Sequence, residues 1–123
     1  MGTSKDSLFI VGQYTETFND LTEQHLPCGP VYQSEGLRIH VQKRHPECLS
    51  CLDLVPQIIA APDYVGRHPR ESNSIELVKV IDQNIMVCIK LDIENDYLFV
   101  ASVYEISNGK LNNRLNSGRL KSI

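Results

Sequence analysis

Three consecutive segments with apolar residues at every second position constrain the fold of this chain most strongly. They are SIELVKVI (74–81), NIMVCIKLDI (84–93) and YLFVASVYEI (97–106). A period of two is typical of β-strands, whose successive side chains point to opposite faces of a sheet. The polar linkers, Asp82–Gln83 and residues 94–96, favour tight turns. These segments therefore predict an antiparallel β-meander.

The alternation also predicts which side chains share a face of this sheet. One face of the middle strand carries the aliphatic residues Ile85, Val87, Ile89, Leu91 and Ile93. On the other face, tight turns would pair Cys88 with Ser102, and Met86 with both Tyr104 and Lys79. Lys79, Ser102 and Tyr104 are thus predicted to share the face opposite the isoleucine-rich core. A one-residue slip at the first turn would bury Lys79 instead.

The first half of the chain, up to about Gly66, has helical rather than alternating spacing. Thr15 is a candidate N-cap for a helix over residues 16–24, and Ser34 for one over 35–44. Apolar residues at near-helical spacing are predicted to line the core: Leu37, Val41, Cys48, Leu52, Val55 and Ile59.

Two prolines divide the segment that follows. Pro46 is expected to stop the preceding helix, because a residue before proline is pushed towards extended geometry. Proline also suits the first turn of a helix, so Pro46 and Pro56 are predicted to open two short helices. Near the end of the chain, helical spacing at Leu111 and Leu115 is interrupted by Ser117–Gly118.

The predicted fold class is α+β, with N-terminal helices packed on a C-terminal antiparallel meander of three to four strands. With 123 residues, the chain is expected to form a single domain (1–123), in which residues 1–30 are a less clearly assigned N-terminal extension. The formal net charge of −3 provides no overall basic field, so any nucleic-acid site must be a local patch. No run approaches the roughly 20 apolar residues that span a bilayer.

The cysteine pattern favours reduced thiols in a cytosolic protein. The four cysteines are Cys28, Cys48, Cys51 and Cys88, and the polar start at residues 1–7 does not resemble a secretory signal. A zinc site at His45, Cys48 and Cys51 is the alternative. Structural zinc sites usually contain two close ligand pairs, whereas this chain has one. We therefore expect free cysteines, no metal and no cofactor.

Several residues have the chemistry that RNA cleavage requires. The reaction needs a base for the 2′-hydroxyl proton, an acid for the leaving oxygen, and donors that stabilise the phosphorane. Histidine suits proton transfer because it titrates near neutrality. The helix carries His40, Lys43, Arg44 and His45, and the sheet carries Lys79, Ser102 and Tyr104. The loop at 66–71 adds Arg67, His68 and Arg70, and the chain end adds Lys110, Arg114, Arg119 and Lys121.

Each of these residues also has an ordinary structural interpretation. His40, Lys43 and Arg44 fit the solvated side of a helix, and His45 before Pro46 fits a turn. Lys79 could keep a sheet face soluble, and Ser102 and Tyr104 could make cross-strand contacts. No single residue is specific for catalysis, so only their convergence in space would favour a site.

A set of short stretches gives the chain a resemblance to a known group of nucleases. From about Val31 onwards they are VYQSEGLRIHVQKRHPE, IIAAPDYVG, SIELVKVI, VCIKLDI, FVASVYEIS and LNSGRLK. In this order they resemble the phage-associated branch of the Barnase–EndoU–colicin–RelE-like nuclease families. The resemblance implies helices followed by an antiparallel sheet, with metal-independent RNA cleavage on the sheet face. It implies five site residues: His40, His45, Lys79, Ser102 and Tyr104.

The functional prediction is a metal-independent endoribonuclease, an RNase or toxin associated with a phage or mobile element and acting in a bacterial cytoplasm. Its predicted partners are RNA (tRNA or another structured RNA) and an immunity protein or phage protein. The predicted substrate-binding residues are Lys43, Arg44, Arg67, Arg70, Arg114 and Arg119. The alternative is a catalytically silent RNA- or protein-binding accessory module. The sequence shows no exposed aromatic platform, which argues against base-specific RNA recognition. The lack of a glycine-rich phosphate loop argues against a nucleotide transferase.

Overall fold

The computed structural model of the protein describes residues 8–123. The expectation that residues 1–7 are not a secretory signal lies outside the described residues. In chain order, the elements are β1 (Phe9–Tyr14), α1 (Glu16–Thr22), β2 (Gly29–Gln33), α2 (Glu35–Arg44), a 3₁₀ segment (Pro46–Leu54), α3 (Val55–Ala60), β3 (Tyr64–Gly66), β4 (Ser74–Ile81), β5 (Gln83–Asp92), β6 (Tyr97–Ile106), α4 (Asn108–Asn116) and β7 (Leu120–Ser122).

All of these strands belong to one seven-stranded mixed sheet in the order β1-β2-β6-β5-β4-β3-β7. β2 and β6 are parallel, and the other neighbouring pairs are antiparallel. The predicted meander is present as β4–β5–β6. The α+β class is correct, but the predicted sheet of three to four antiparallel strands is wrong, because four further strands extend the meander into a mixed sheet. The helices are also not confined to the N-terminal side of the sheet, since β1 precedes α1, β2 lies between α1 and α2, and α4 follows β6.

The four missed strands are short or irregular, which explains why their sequences give no clear period of two. β1 pairs with β2 through an irregularity between Ile10 and Gly12. β3 and β7 each contain three residues and pair with one another. Such strands form because a neighbouring strand is available, rather than from intrinsic propensity.

Gly66 allows the end of the chain to lie against β3. It pairs with Glu76 in β4 and with Leu120 in β7. A Cβ atom at this position would overlap the backbone carbonyl of Arg119. The absent side chain therefore permits the close approach of β7, which carries Arg119 to the sheet.

The two faces of the sheet have different cover. The face that we call the helix-covered face packs against the helical elements before β3, and its buried residues include the predicted core set Leu37, Val41, Cys48, Leu52, Val55 and Ile59. That core prediction is confirmed. We call the opposite face the open face. Next to α4 it has a smaller core, formed by Val78, Met86, Ile106, Leu111 and Leu120. The rest of the open face carries partly exposed residues of β5 and β6: Cys88, Lys90, Phe99, Ser102 and Tyr104.

The register of the meander confirms the predicted pairing of β5 with β6 and corrects the predicted pairing of β4 with β5. Met86 pairs with Tyr104 and Cys88 with Ser102, as predicted. The first turn is one residue shorter than predicted, because Asp82 alone, at φ +60°, separates the paired residues Ile81 and Gln83.

The shorter turn moves Lys79 to the helix-covered face. Val78, not Lys79, pairs with Met86, and Lys79 pairs with Ile85. The ammonium of Lys79 is not buried, since it reaches the periphery and donates a hydrogen bond to the carbonyl of Ala61 at 2.7 Å. Lys79 therefore does not share a face with Ser102 and Tyr104, and the predicted pairing is wrong.

The expectation of four free cysteines is also wrong for one pair. Cys48 and Cys51 form a disulfide within the 3₁₀ segment, with Cα atoms 5.0 Å apart, a separation that a disulfide bridges readily. Cys28 and Cys88 are free. Within the described part of the chain, no helix has the length and apolar run needed to cross a bilayer.

Candidate active site on the open face

The first contact that defines the candidate site joins the end of α2 to β6. His45 directly follows α2, which ends there because Pro46 comes next. Its imidazole stacks on the phenol ring of Tyr104, with ring centroids 4.9 Å apart and an angle of 21° between the planes. His45 is half-buried. The end of the helix thus holds a titratable ring against the open face.

The edge of β6 leaves room for this contact. β2 pairs with β6 only at Leu98 and Phe99, so no described strand pairs with the later half of β6 on that side. α2 packs beside β6 instead. Tyr104 lies in this later half, which makes its ring accessible to a side chain from the helix end.

A buried ion pair forms the second part of the site. Glu76 lies on the open face of β4 and is 2 % exposed. Arg119 holds it in a bidentate arrangement, with Nε donating to Oε1 at 2.8 Å and Nη2 donating to Oε2 at 2.6 Å. The hydrogen bonds to Glu76 raise the pKa of Arg119. Because both guanidinium contacts are fixed, Arg119 provides a cation of defined orientation.

Glu76 is the functional candidate that sequence reasoning missed. The predicted register placed Lys79 on this face, whereas the observed register places Glu76 and Val78 there. The sequence alone does not indicate that Glu76 is buried. Its burial is explained only by its partner, Arg119, which lies near the C-terminal end of the chain.

The surroundings of Tyr104 disfavour loss of its phenol proton. Burial raises the pKa of Tyr104, and the negative charge of Glu76 raises it further, while Arg114 acts in the opposite direction through its charge and a hydrogen bond. The hydroxyl is therefore a hydrogen-bond donor at neutral pH. Burial and Glu76 also raise the pKa of Cys88 to about 12, so its thiol stays neutral and is a poor nucleophile.

Three arginines line a cleft of about 640 Å³ beside these groups: Arg67, Arg114 and Arg119, with Pro69, Asn113, Ser117 and Gly118. The guanidinium of Arg114 lies 3.1 Å from the sulfur of Met86 on the open face. Arg67 is tethered by hydrogen bonds from Nη1 to the carbonyls of Thr22 and Glu23, both 3.3 Å long. Guanidinium groups bind phosphate well because their donors match its oxygens.

The structure brings together only some of the residues that the sequence proposed. Ser102 lies on the open face, opposite Cys88 and two residues from Tyr104. His40 is exposed on α2, and the described residues provide it with no hydrogen bond, ion pair or ring contact. The remaining proposed cations lie at exposed positions: Lys43, Arg44 and Arg70. His68 accepts a hydrogen bond from the backbone of Arg70 at 3.1 Å and orders the loop.

The charged side chains that line the cleft are guanidinium groups. Among residues 8–123, no group of three or more histidine, cysteine or acidic residues is arranged to hold a metal ion. Hard cations such as Mg²⁺ are bound through oxygen ligands. Glu76, the buried carboxylate here, already has both oxygens engaged by Arg119.

Comparison with known proteins assigns this chain to a family. The family described as phage-Barnase-EndoU-ColicinE5/D-RelE like nuclease3 matches residues 9–113. The match begins at β1, so it also includes the part of the chain before Val31 that the resemblance did not clearly cover. No curated protein and no solved structure matches the chain at a significant level. Because the family match covers most of the chain, the protein belongs to the phage-Barnase-EndoU-ColicinE5/D-RelE like nucleases.

Proposed function

We propose that the protein is a metal-independent endoribonuclease that cleaves RNA on the open face. The observation that carries this proposal is the stacking of His45 on Tyr104, at a ring distance of 4.9 Å, on the face where Arg119 and Arg114 line a cleft. Membership in a nuclease family supports the general activity. The side chains support the proposed specificity for RNA, because they suit attack by a 2′-hydroxyl group without a metal-bound water.

The proposed reaction assigns one task to each group. His45 transfers a proton, either from the attacking 2′-hydroxyl or to the departing 5′-oxygen. Tyr104 and Ser102 donate hydrogen bonds to phosphoryl oxygens, since both hydroxyl groups are protonated at neutral pH. Arg114 and Arg119 stabilise the charge of the phosphorane, as preorganised cations do in other phosphoryl-transfer sites. The 2′-oxygen forms a bond to phosphorus, the bond to the 5′-oxygen breaks, and a 2′,3′-cyclic phosphate results.

His40 and Lys79 are not among the main catalytic groups of this proposal. Among the described residues, no hydrogen bond, ion pair or ring contact joins His40 to Tyr104, and Lys79 lies on the other face. We keep His40 as a candidate for the second proton transfer because it lies on the same helix as His45. Lys43, Arg44 and Arg70 are proposed to contact the RNA backbone outside the cleft.

The biological setting is part of the same proposal. A family of phage nucleases suggests an RNase or toxin of a phage or mobile element, acting in a bacterial cytoplasm. Its RNA target would be a tRNA or another structured RNA, and an immunity protein or phage protein would be its protein partner.

One observation favours a second candidate function, a catalytically silent RNA- or protein-binding module. Metal-independent RNA cleavage uses both an acid and a base. Only one of the two proposed histidines, His45, contacts the site in the described structure. In this second candidate function, the arginine cleft binds RNA and His45 alone does not cleave it.

The experiment that separates the two functions is incubation of purified protein with a mixed RNA pool, with and without EDTA. The nuclease proposal expects cleavage at the same rate in both samples, with products that end in 2′,3′-cyclic phosphate. Cleavage abolished by EDTA would contradict the metal-independent mechanism. An RNA pool that is bound but remains intact would support the binding module.

A further inference from the structure

Three aromatic side chains lie together at the end of the open face that α4 leaves uncovered. Tyr32 lies in β2 beside Phe99 in β6, and Tyr97 lies on the same face of β6. The rings of Tyr32 and Tyr97 meet edge to face at 5.8 Å, and those of Tyr97 and Phe99 lie 5.9 Å apart at 47°. All three are partly exposed, unlike the aromatic core residues Tyr14 and Phe18. We call these three residues the aromatic cluster.

The aromatic cluster shares its face with the candidate active site. In β6, Leu98, Val100 and Val103 are buried in the core of the helix-covered face. The intervening residues, Phe99 and Ser102, therefore point to the open face, with an irregularity near Ala101 between them. At about 3.3 Å per residue, Phe99 lies about 10 Å along the strand from Ser102. A short stretch of a single strand of RNA can bridge that distance.

The shape of the surface allows flat groups to lie against these rings. Tyr32 and Tyr97 line a hollow of about 440 Å³ together with Leu8 and Asn95. The same two tyrosines line a second hollow of about 150 Å³, next to the loop at 27–30 and residues 96–98. The pair of rings thus stands between two cavities. A planar base can enter either cavity and contact a ring.

The charges around the aromatic cluster decide which part of a nucleotide belongs there. Asp96 lines the smaller hollow, and Asp92 pairs with Tyr97 across the strands, while the ammonium of Lys90, opposite Phe99, is paired with Glu71 at 2.8 Å. These carboxylates repel phosphate, whereas Arg67, Arg114 and Arg119 attract it at the cleft. The face therefore has an anion-binding side and an aromatic side that suits uncharged rings.

We propose that Tyr32, Tyr97 and Phe99 form a stacking site for unpaired nucleobases of the substrate RNA. This inference rests on the proposed RNA substrate and makes it more specific: the RNA is single-stranded or looped at the cleavage site. Bases that are already stacked in a duplex cannot reach the rings. Stacking on aromatic side chains is tolerant of sequence, because every base has an aromatic face. The expectation that the chain has no exposed aromatic platform is corrected by this cluster.

A binding measurement with two matched strands tests this proposal without relying on catalysis. The first strand is a 2′-O-methyl oligonucleotide, which has bases and phosphates but no nucleophilic hydroxyl group. The second is an abasic strand of the same length and charge. Wild-type protein is expected to bind the base-bearing strand at least about fivefold more tightly than the abasic strand, which corresponds to one stacked base.

Variants assign that difference to the aromatic cluster. Tyr97→Leu combined with Phe99→Leu should reduce the affinity for the base-bearing strand to that of the abasic strand. Tyr97→Phe keeps the ring and should bind like wild type, which separates stacking from loss of folding. Ile93→Ala is the matched control, because Ile93 is 73 % exposed near the same turn but is not aromatic.

The outcomes separate this proposal from the proposed nuclease activity. If the leucine variant binds both strands as wild type does, the stacking proposal is wrong, and a protein partner becomes the better occupant of the aromatic cluster. Equal binding of the two strands by wild type would also refute it. If the base-dependent difference is found but no RNA is cleaved, the stacking site stands and the nuclease proposal fails.

Discussion

Leu77 and Glu76 are neighbours in β4 but face opposite sides of the sheet. Leu77 is fully buried among aliphatic residues of the helix-covered face, and Glu76 binds Arg119 on the open face. The same contrast occurs in β5, where Val87 belongs to the core and Cys88 to the open face. Because side chains alternate along a strand, one face can stabilise the fold while the other carries the chemistry. Substitutions on the two faces should therefore affect different properties.

The largest expected effect is a loss of RNA cleavage on the open face. His45→Ala should lower kcat/KM about 100- to 10,000-fold, because a general acid or base typically contributes that much to the rate. Its melting temperature should stay within a few degrees of wild type. His25→Ala is the matched control, since His25 is exposed in the loop between α1 and β2. Equal cleavage by the two alanine variants would show that His45 is not catalytic.

On the helix-covered face, the expected effect is on stability. Leu77→Ala should lower the free energy of unfolding by about 2 to 5 kcal/mol, because it removes buried methyl groups and leaves a cavity. The cleavage rate of the fraction that remains folded should not change, since no atom of Leu77 faces the site. Denaturant unfolding and a cleavage assay at low temperature measure the two quantities. A large loss of specific activity would contradict the separation of the faces.

Substitution of Arg119 should lower both the stability of the fold and the rate of cleavage. Arg119→Ala leaves the carboxylate of Glu76 buried without its partner, which should cost about 3 kcal/mol of stability as well as activity. Arg114→Ala is the comparison variant, because Arg114 contacts a methionine sulfur rather than a carboxylate. It should lower cleavage while changing stability by about 0.5 kcal/mol. If Arg114→Ala destabilises the protein as much as Arg119→Ala, the ion pair is not the cause.

A smaller effect is expected from pH at the Lys90–Glu71 ion pair, whose charged atoms are 2.8 Å apart. The hydrogen bond from Lys90 lowers the pKa of Glu71. The contribution of the ion pair to stability is therefore present above the unfolded-state pKa of Glu71. It is lost as the pH falls through the lower folded-state pKa of Glu71. Both side chains are about one-third exposed, so the gain is below about 1 kcal/mol. Unfolding measurements between pH 3 and pH 6 should show this pH-dependent loss of stability in wild type but not in Lys90→Met.

Lys79→Ala should have the smallest effect. Its ammonium donates one hydrogen bond, to the carbonyl of Ala61, at an exposed position of the helix-covered side. We expect a change of about 0.5 kcal/mol in stability and no change in cleavage. The variant is informative because the sequence assigned Lys79 to the active site. A strong loss of activity with normal folding would return it there and contradict the observed register.

Features that depend on residues close together in the sequence were predicted correctly. Ser34 and Pro46 delimit α2, and the helix has the predicted bounds, Glu35–Arg44. The alternation in β5 and β6 correctly paired Met86 with Tyr104. These features depend on a few adjacent residues or on one tight turn.

The errors concern features that depend on one backbone conformation or on distant parts of the chain. The left-handed conformation of Asp82 shortens a turn and exchanges Lys79 for Glu76 on the open face. The partner of Glu76, Arg119, arrives through the pairing of β7 with β3. The aromatic cluster forms only when β2 joins β6 in parallel. No short sequence pattern encodes these long-range contacts.

The proposed cleavage of RNA on the open face proceeds through the 2′-hydroxyl group. It is tested most directly with two oligonucleotides of one sequence, an all-RNA strand and a strand with a single 2′-deoxynucleotide at the mapped cleavage position, both assayed in EDTA. We predict that the protein cuts the all-RNA strand and leaves the modified position intact, and that His45→Ala cuts the all-RNA strand at least about 100-fold more slowly. Cleavage at the 2′-deoxy position, or wild-type protein that cuts neither strand, would contradict the account.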